Sequence, residues 1–108
     1  MHAGSNRSLG EQVADALLNA AEAKNDAATK RRKADRILDA VLLQQSGGSA
    51  DERKAKARQD VRYIQADDAA LEAEHRANIA KAQADGAEIR FEEWRSMNAT
   101  QRAEMNLR

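Results

Sequence analysis

The chain predicts an all-α fold: a long antiparallel, coiled-coil-like helical hairpin that dimerises into a four-helix bundle. Three observations predict it. Small and apolar residues recur at alternating three- and four-residue steps, first as Val13, Ala16, Ala20, Ala23, Ala27, Lys30, Ala34, Ile37 and Val41, then as Ala70, Ala73, Ala77, Ala80, Ala84, Ala87, Phe91 and Trp94. That spacing is how a helix shows a narrow seam to another helix. There is no proline, and Ser46-Gly47-Gly48 is the one strong break between the two runs. A turn this short returns the second helix antiparallel to the first.

The third observation is the poverty of the core. Alanine accounts for 24 residues, whereas Val, Ile, Leu and Phe together number 16. Burying a large aliphatic side chain yields roughly 1.5–3 kcal/mol, and ordering each residue costs about 1.5 kcal/mol. An isolated hairpin of this composition is marginal, so folding is expected to be coupled to association.

The elements follow in order. Residues 1–7 have no period and read as a flexible tail. Ser8-Leu9-Gly10-Glu11 matches a capping box, in which the serine hydroxyl accepts from the Glu11 amide. Helix one runs from there to about residue 45, and the turn takes 46–49. Ser49-Ala50-Asp51-Glu52 repeats the box, so helix two starts at about 50 and runs to about 97. Residues 99–107 either form a short final helix capped near Asn98 or continue helix two. Residues 8–108 make one domain.

Near the turn, Ile37, Leu38, Val41, Leu42 and Leu43 are expected to face Val61, Ile64 and Tyr63, and at the open end Val13, Leu17 and Leu18 to meet Ile79, Ile89, Phe91 or Trp94. The apolar residues are broader than one seam, which implies a second contact face. Leu17, Ile79, Ile89, Phe91 and Trp94 are the residues expected to carry association, the tryptophan because it is enriched where binding energy concentrates.

A net charge of zero conceals a dipole. Between residues 30 and 62 stand ten basic residues, Lys30, Arg31, Arg32, Lys33, Arg36, Arg53, Lys54, Lys56, Arg58 and Arg62, against five acidic ones. In an antiparallel hairpin they gather towards the turn end. Such a tip suits an acidic protein surface or phosphates; the plainer reading is a solvated surface laced with i,i+4 pairs such as Asp26–Lys30 and Glu72–Arg76. Only Tyr63 offers a stacking ring among these cations, against the habit of single-strand binders. The same dipole also suits self-association, with the basic end of one copy beside the acidic region of another.

Nothing in the sequence assembles a catalytic or cofactor site. Glu72-x-x-His75 has the spacing of a carboxylate–histidine metal pair, but helix one holds no histidine to complete it, and His2 is in the tail. There is no cysteine, hence no disulfide framework and no thiol nucleophile. Gly47-Gly48 reads as a turn and not as a phosphate cradle. No catalytic, cofactor or metal residues are therefore assigned. No run approaches the ~18 apolar residues of a membrane span, so the expected setting is the cytoplasm.

The stretch from Ile89 to Met105, with Phe91-Glu92-Glu93-Trp94-Arg95 followed by Ala99 and Arg102-Ala103-Glu104, resembles the closing segment of small all-helical accessory proteins of bacteriophage and prophage genomes. The resemblance implies a viral protein of the host cytoplasm that works by binding, as recombination helpers and inhibitors of host defence do, and it transfers no active-site residue. The expected function is accordingly a non-enzymatic homo-oligomer acting on a protein partner. A nucleic-acid-binding accessory protein using the basic tip is the first alternative, and a virion or scaffold component the second.

Overall fold

Three helices make up the computed structural model, which describes residues 8–107: α1 (Leu9–Leu43), α2 (Ala50–Arg58) and α3 (Val61–Asn106). No strand occurs among the described residues, and none of the helices is long and apolar enough to cross a membrane. The tail assigned to residues 1–7 lies outside the described residues.

The start of α1 is the one its sequence encodes. The Ser8 hydroxyl accepts from the Glu11 amide at 3.1 Å, satisfying one of the donors that a helix start leaves open, and the Ser8 carbonyl accepts the first helical bond from Gln12. The helix ends at Leu43, two residues earlier than expected, because the chain tightens: the Gln44 amide donates to the Val41 carbonyl and Gln45 to Leu42. Gly47 and Gly48 then take φ values of 77° and 75°, a left-handed conformation that a side chain disfavours. Ser49, in extended geometry, caps α2 by accepting from the Glu52 amide at 3.1 Å.

The single helix expected over 50–97 is interrupted. It breaks at Gln59-Asp60, where Asp60 caps a new helix: its carboxylate accepts from the Arg62 amide at 2.8 Å and its carbonyl from the Ile64 amide at 3.0 Å. An aspartate side chain that bonds backbone amides competes with helix propagation and favours a start. No second break follows. The chain runs helically through Asn98 to Asn106, so of the two alternatives for residues 99–107 the long helix continues; within it the Thr100 hydroxyl donates back to the Ser96 carbonyl at 3.0 Å.

The described residues fall into two compact units. One joins the chain up to Ala21 with the chain from Ile79 onward; the other is Glu22–Asn78. The division falls where the seam residues are Ala20 and Ala23 on α1 and Ala77 and Ala80 on α3, each with only a methyl to contribute.

Within the 22–78 unit the helices α1 and α3 lie antiparallel. Arg31 reaches Asp67 and Glu74, whereas Arg62 reaches back to Gln44, so advancing along α1 means retreating along α3. Buried between them are Ala27, Ala34 and Val41, seven residues apart on α1, and Ala70 and Ala73 on α3, with Ala57 of α2 covered as well. Val41 is the only side chain larger than alanine that is fully buried. In the other unit Ala80, Ala84 and Ala87 are buried, and Val13, Ala16 and Ala20 of α1 are half-buried.

The seam is thus the alanine ladder, and the large aliphatic residues stand largely outside it. Leu43 is 87% exposed and Val61 62%, with Ile64 exposed too, so these three leave the cluster expected near the turn. The reason is phase. Stepping back from Ala73 and Ala70 by alternating threes and fours gives Ala66 and Tyr63, both half-buried; Val61 and Ile64 are off that register. Ala57 of α2 occupies the turn end of the unit in their stead, beside Leu38 and Leu42.

Candidate functional site

The ten cations predicted to form a basic tip all belong to the 22–78 unit, but the fold spends several of them internally. Arg31 sits at the edge of the seam. Its Nη1 donates to Asp67 Oδ1 at 2.6 Å, Nη2 to Glu74 Oε1 at 2.7 Å and Nε to Glu74 Oε2 at 3.4 Å. Asp67 and Glu74 are seven residues apart, two helical turns, and so flank one point on α1. The hydrogen bonds it donates to Glu74 and then Asp67 hold the guanidinium above its ordinary pKa, and the hydrogen bond from Arg31 holds the Glu74 carboxyl below its own.

Arg62 is equally committed. Its Nε and Nη2 donate to the two Asp60 oxygens at 3.0 and 2.9 Å, and Nη2 also donates to Gln44 Oε1 at 2.7 Å. The side-chain hydrogen bond from Arg62, with the backbone one, keeps the Asp60 carboxyl below its ordinary value. Arg53 donates to the Gly48 carbonyl at 2.7 Å, Lys30 bonds Asp26 at 3.0 Å, and Arg32 touches the Thr29 hydroxyl. Among the described residues, Lys33, Arg36, Lys54, Lys56 and Arg58 make no ion pair or hydrogen bond; these five are the cations free to meet a partner. The Asp26–Lys30 pair is the one the sequence predicts, whereas the partners of Arg31 and Arg62 were missed from sequence: Asp67 and Glu74 lie opposite Arg31 only once the antiparallel register is set.

Glu74 and Asp60 give the fold a pH dependence whose sign is fixed. Both carboxyls bind protons less readily in the folded chain than at their ordinary values of 4.5 and 3.8. Between the two sets of values the unfolded chain takes up more protons, so stability is present at neutral pH and lost as pH falls through the folded values. The thermal midpoint should hold steady at neutral pH and fall once the pH drops through the ordinary carboxylate values of 4.5 and 3.8 and below. Glu74→Gln should start lower at neutral pH and lose less on acidification; an acid profile identical to that of the unaltered chain would remove the Arg31–Glu74 pair as its source.

Two furrows mark the 22–78 unit. One, of about 350 Å³, has Lys30, Lys33 and Arg62 around Ile37, Gln65, Ala66 and Ala69. The other, about 190 Å³, lies between α1 and α2 and is lined by Leu38, Asp39, Leu42, Lys54, Ala57 and Arg58. Both are shallow and open, unlike the enclosed apolar clefts that take small molecules.

The residues assigned to association are on the surface. Leu17 is 46% exposed, Ile79 45%, Ile89 60% and Trp94 48%. Phe91 is half-buried and lies against the start of α1, where a methyl on Gly10 would stand 3.8 Å from its ring. The Phe91 and Trp94 rings stack at 6.0 Å and 22°, and the Arg95 guanidinium lies 5.8 Å from the Phe91 centroid. Of the residues expected at the open end, Phe91 is the one half-buried, and Leu17, Leu18, Ile79, Ile89 and Trp94 keep much of their surface exposed. Met97, Met105 and Leu107 are further exposed apolar residues that the ladder did not flag for association.

His75 is exposed on α3, and among the described residues no group of three or more His, Cys, Asp or Glu side chains could hold a metal ion. The fold and its surface define an all-helical protein with alanine within and large aliphatics without. No protein-family model, curated protein or solved structure matches the chain.

Proposed function

We propose that this chain is a non-enzymatic helical protein that self-associates and acts by binding another protein. One observation carries the reading: among the described residues twelve large apolar side chains are exposed, from Leu17 to Leu107, while all but one of the buried hydrophobic residues are alanine. A core of alanine buries little apolar area, and covering these side chains with a partner would supply more. The association residues are Leu17, Ile79, Ile89, Phe91 and Trp94. The partner meets the cations left unpaired, with Lys54, Lys56 and Arg58 clustered on the short, almost wholly exposed α2. The resemblance of residues 89–105 to phage accessory proteins supports a role in a host cytoplasm, where inhibition of a defence protein is one such activity.

The experiment is an affinity capture from the native host with the unaltered chain and with Lys54→Glu/Lys56→Glu/Arg58→Glu. A protein retained by the first and lost by the second supports the reading. The same retained set for both chains, or no protein at all, defeats it.

The five unpaired cations also favour a second reading, attachment to nucleic acid. Affinity for duplex DNA would then fall with salt at a log–log slope of about −0.9 per phosphate contacted, and the same triple variant would bind less. DNA binding that is undetectable or indifferent to the substitutions ends that alternative.

A further inference from the structure

Ile89 projects from the outer face of α3, and its surroundings are unusual. The helix positions that neighbour it are three and four residues away; of these, 85, 92 and 93 are Asp85, Glu92 and Glu93, and the fourth is Gly86. With Glu88 beside it, the isoleucine stands among four carboxylates, while the Arg90 guanidinium covers the Gly86 flank, where a methyl on Gly86 would stand 3.5 Å from its Nη1. The hollow on the other side is lined by Asp85, Glu88, Glu92, Glu93 and Ser96, with no cation among them. Asp85, Glu88 and Glu93 make no ion pair, and Glu92 has only a 3.5 Å contact with Arg95.

The converse surface exists on the 22–78 unit. Its furrow of about 350 Å³ has Ile37, Ala66, Ala69 and Gln65 under a rim of Lys30, Lys33 and Arg62; Lys30 is paired with Asp26 and Arg62 with Asp60, which leaves Lys33 as the unneutralised cation of the rim. Lys33 is exposed and unpaired, so the rim carries a cation that no group of the chain answers.

We infer that Ile89 with its acidic collar docks into the basic-rimmed furrow of a second copy of this chain. The inference rests on the self-association proposed above and names one contact that contributes to it. An exposed apolar side chain meets a mostly apolar floor, and a negative collar meets the unneutralised Lys33 of the rim, so shape and charge agree at the same contact. The chain as a whole is neutral, with the excess of cations between residues 30 and 62 matched by an excess of carboxylates elsewhere; a second copy therefore supplies the complement to both surfaces. Because the two surfaces differ, the contact is heterologous: each copy offers one of each. Exposed charges at the rim make the contact salt-sensitive, since screening acts within about 10 Å at 0.1 M salt.

The absence of cysteine allows a clean test. Ser96→Cys marks the acidic surface and Gln65→Cys the furrow, and a short bismaleimide should link the two variants when they are mixed and neither variant to itself. In sedimentation, Glu88→Lys/Glu93→Lys and Lys33→Glu should each weaken self-association about tenfold or more, and joining them in one chain should restore it. That restoration also excludes misfolding as the cause of either loss. If the unaltered chain associates while both reversals leave its Kd unchanged and no mixed cross-link forms, this contact is overturned and association proceeds through another face. If the unaltered chain sediments as a monomer at every concentration, the self-association reading falls together with it.

Discussion

Ala70→Leu is expected to destabilise the 22–78 unit by about 1–3 kcal/mol, the usual cost of forcing extra methylenes into a closed contact. Ala70 on α3 and Ala34 on α1 are both fully buried, so the added carbons have no vacant space to enter and the helices must separate. Leucine is nearly as good a helix former as alanine, which isolates packing as the cause. Separation would also strain the pairing of Arg31 with Asp67 and Glu74, whose 2.6 and 2.7 Å contacts require the present helix spacing. Ala40→Leu, at an exposed position of the same unit, should stay within about 0.5 kcal/mol. Urea unfolding compares the two. Equal midpoints would mean that the seam is not the close-packed contact that its burial indicates.

Protein concentration should change stability by a comparable amount. If folding is completed by association, a hundredfold increase in concentration stabilises the dimer by about 2.7 kcal/mol. For a pair of chains this size that is a rise in thermal midpoint of roughly 5–10 °C. Leu17→Glu/Ile79→Glu, which charges two exposed aliphatics of one unit, should lower the midpoint and abolish its dependence on concentration. The same substitutions in a chain that folds alone would have little effect, because both side chains already face water. A midpoint of the unaltered chain that is unmoved over a hundredfold range would sink the link between its thin core and association.

How legible the fold was depended on whether the signal was local. The caps at Ser8 and Ser49 could be read directly, since a serine followed three residues later by glutamate satisfies backbone amides in its own turn. The Gly47-Gly48 connection was equally readable, because left-handed backbone selects glycine. Asp60 was passed over: its neighbours are helix formers, and an aspartate inside a charged stretch looks like any solvated residue until its bonds to the Arg62 backbone and side chain are seen. The candidate surface was legible in part. Ten cations could be counted along the chain, but which of them remain available depended on partners as distant in sequence as Glu74 is from Arg31.

By itself the sequence determined the helices, the seam and the positions of most caps, because periodicity and capping act over a few residues. Only the tertiary structure decided which side of each helix was spent. It placed the methyls of the alanine ladder inside and left Ile79, Ile89 and Trp94 facing water; it also consumed Arg31 and Arg62 within the fold and left Lys33, Arg36, Lys54, Lys56 and Arg58 free. The physical reason is that two helices in contact at alanine distance leave little room for larger side chains along most of the seam, Val41 being the one fully buried among the described residues. The large apolar side chains are therefore set outside, where a second molecule can cover them.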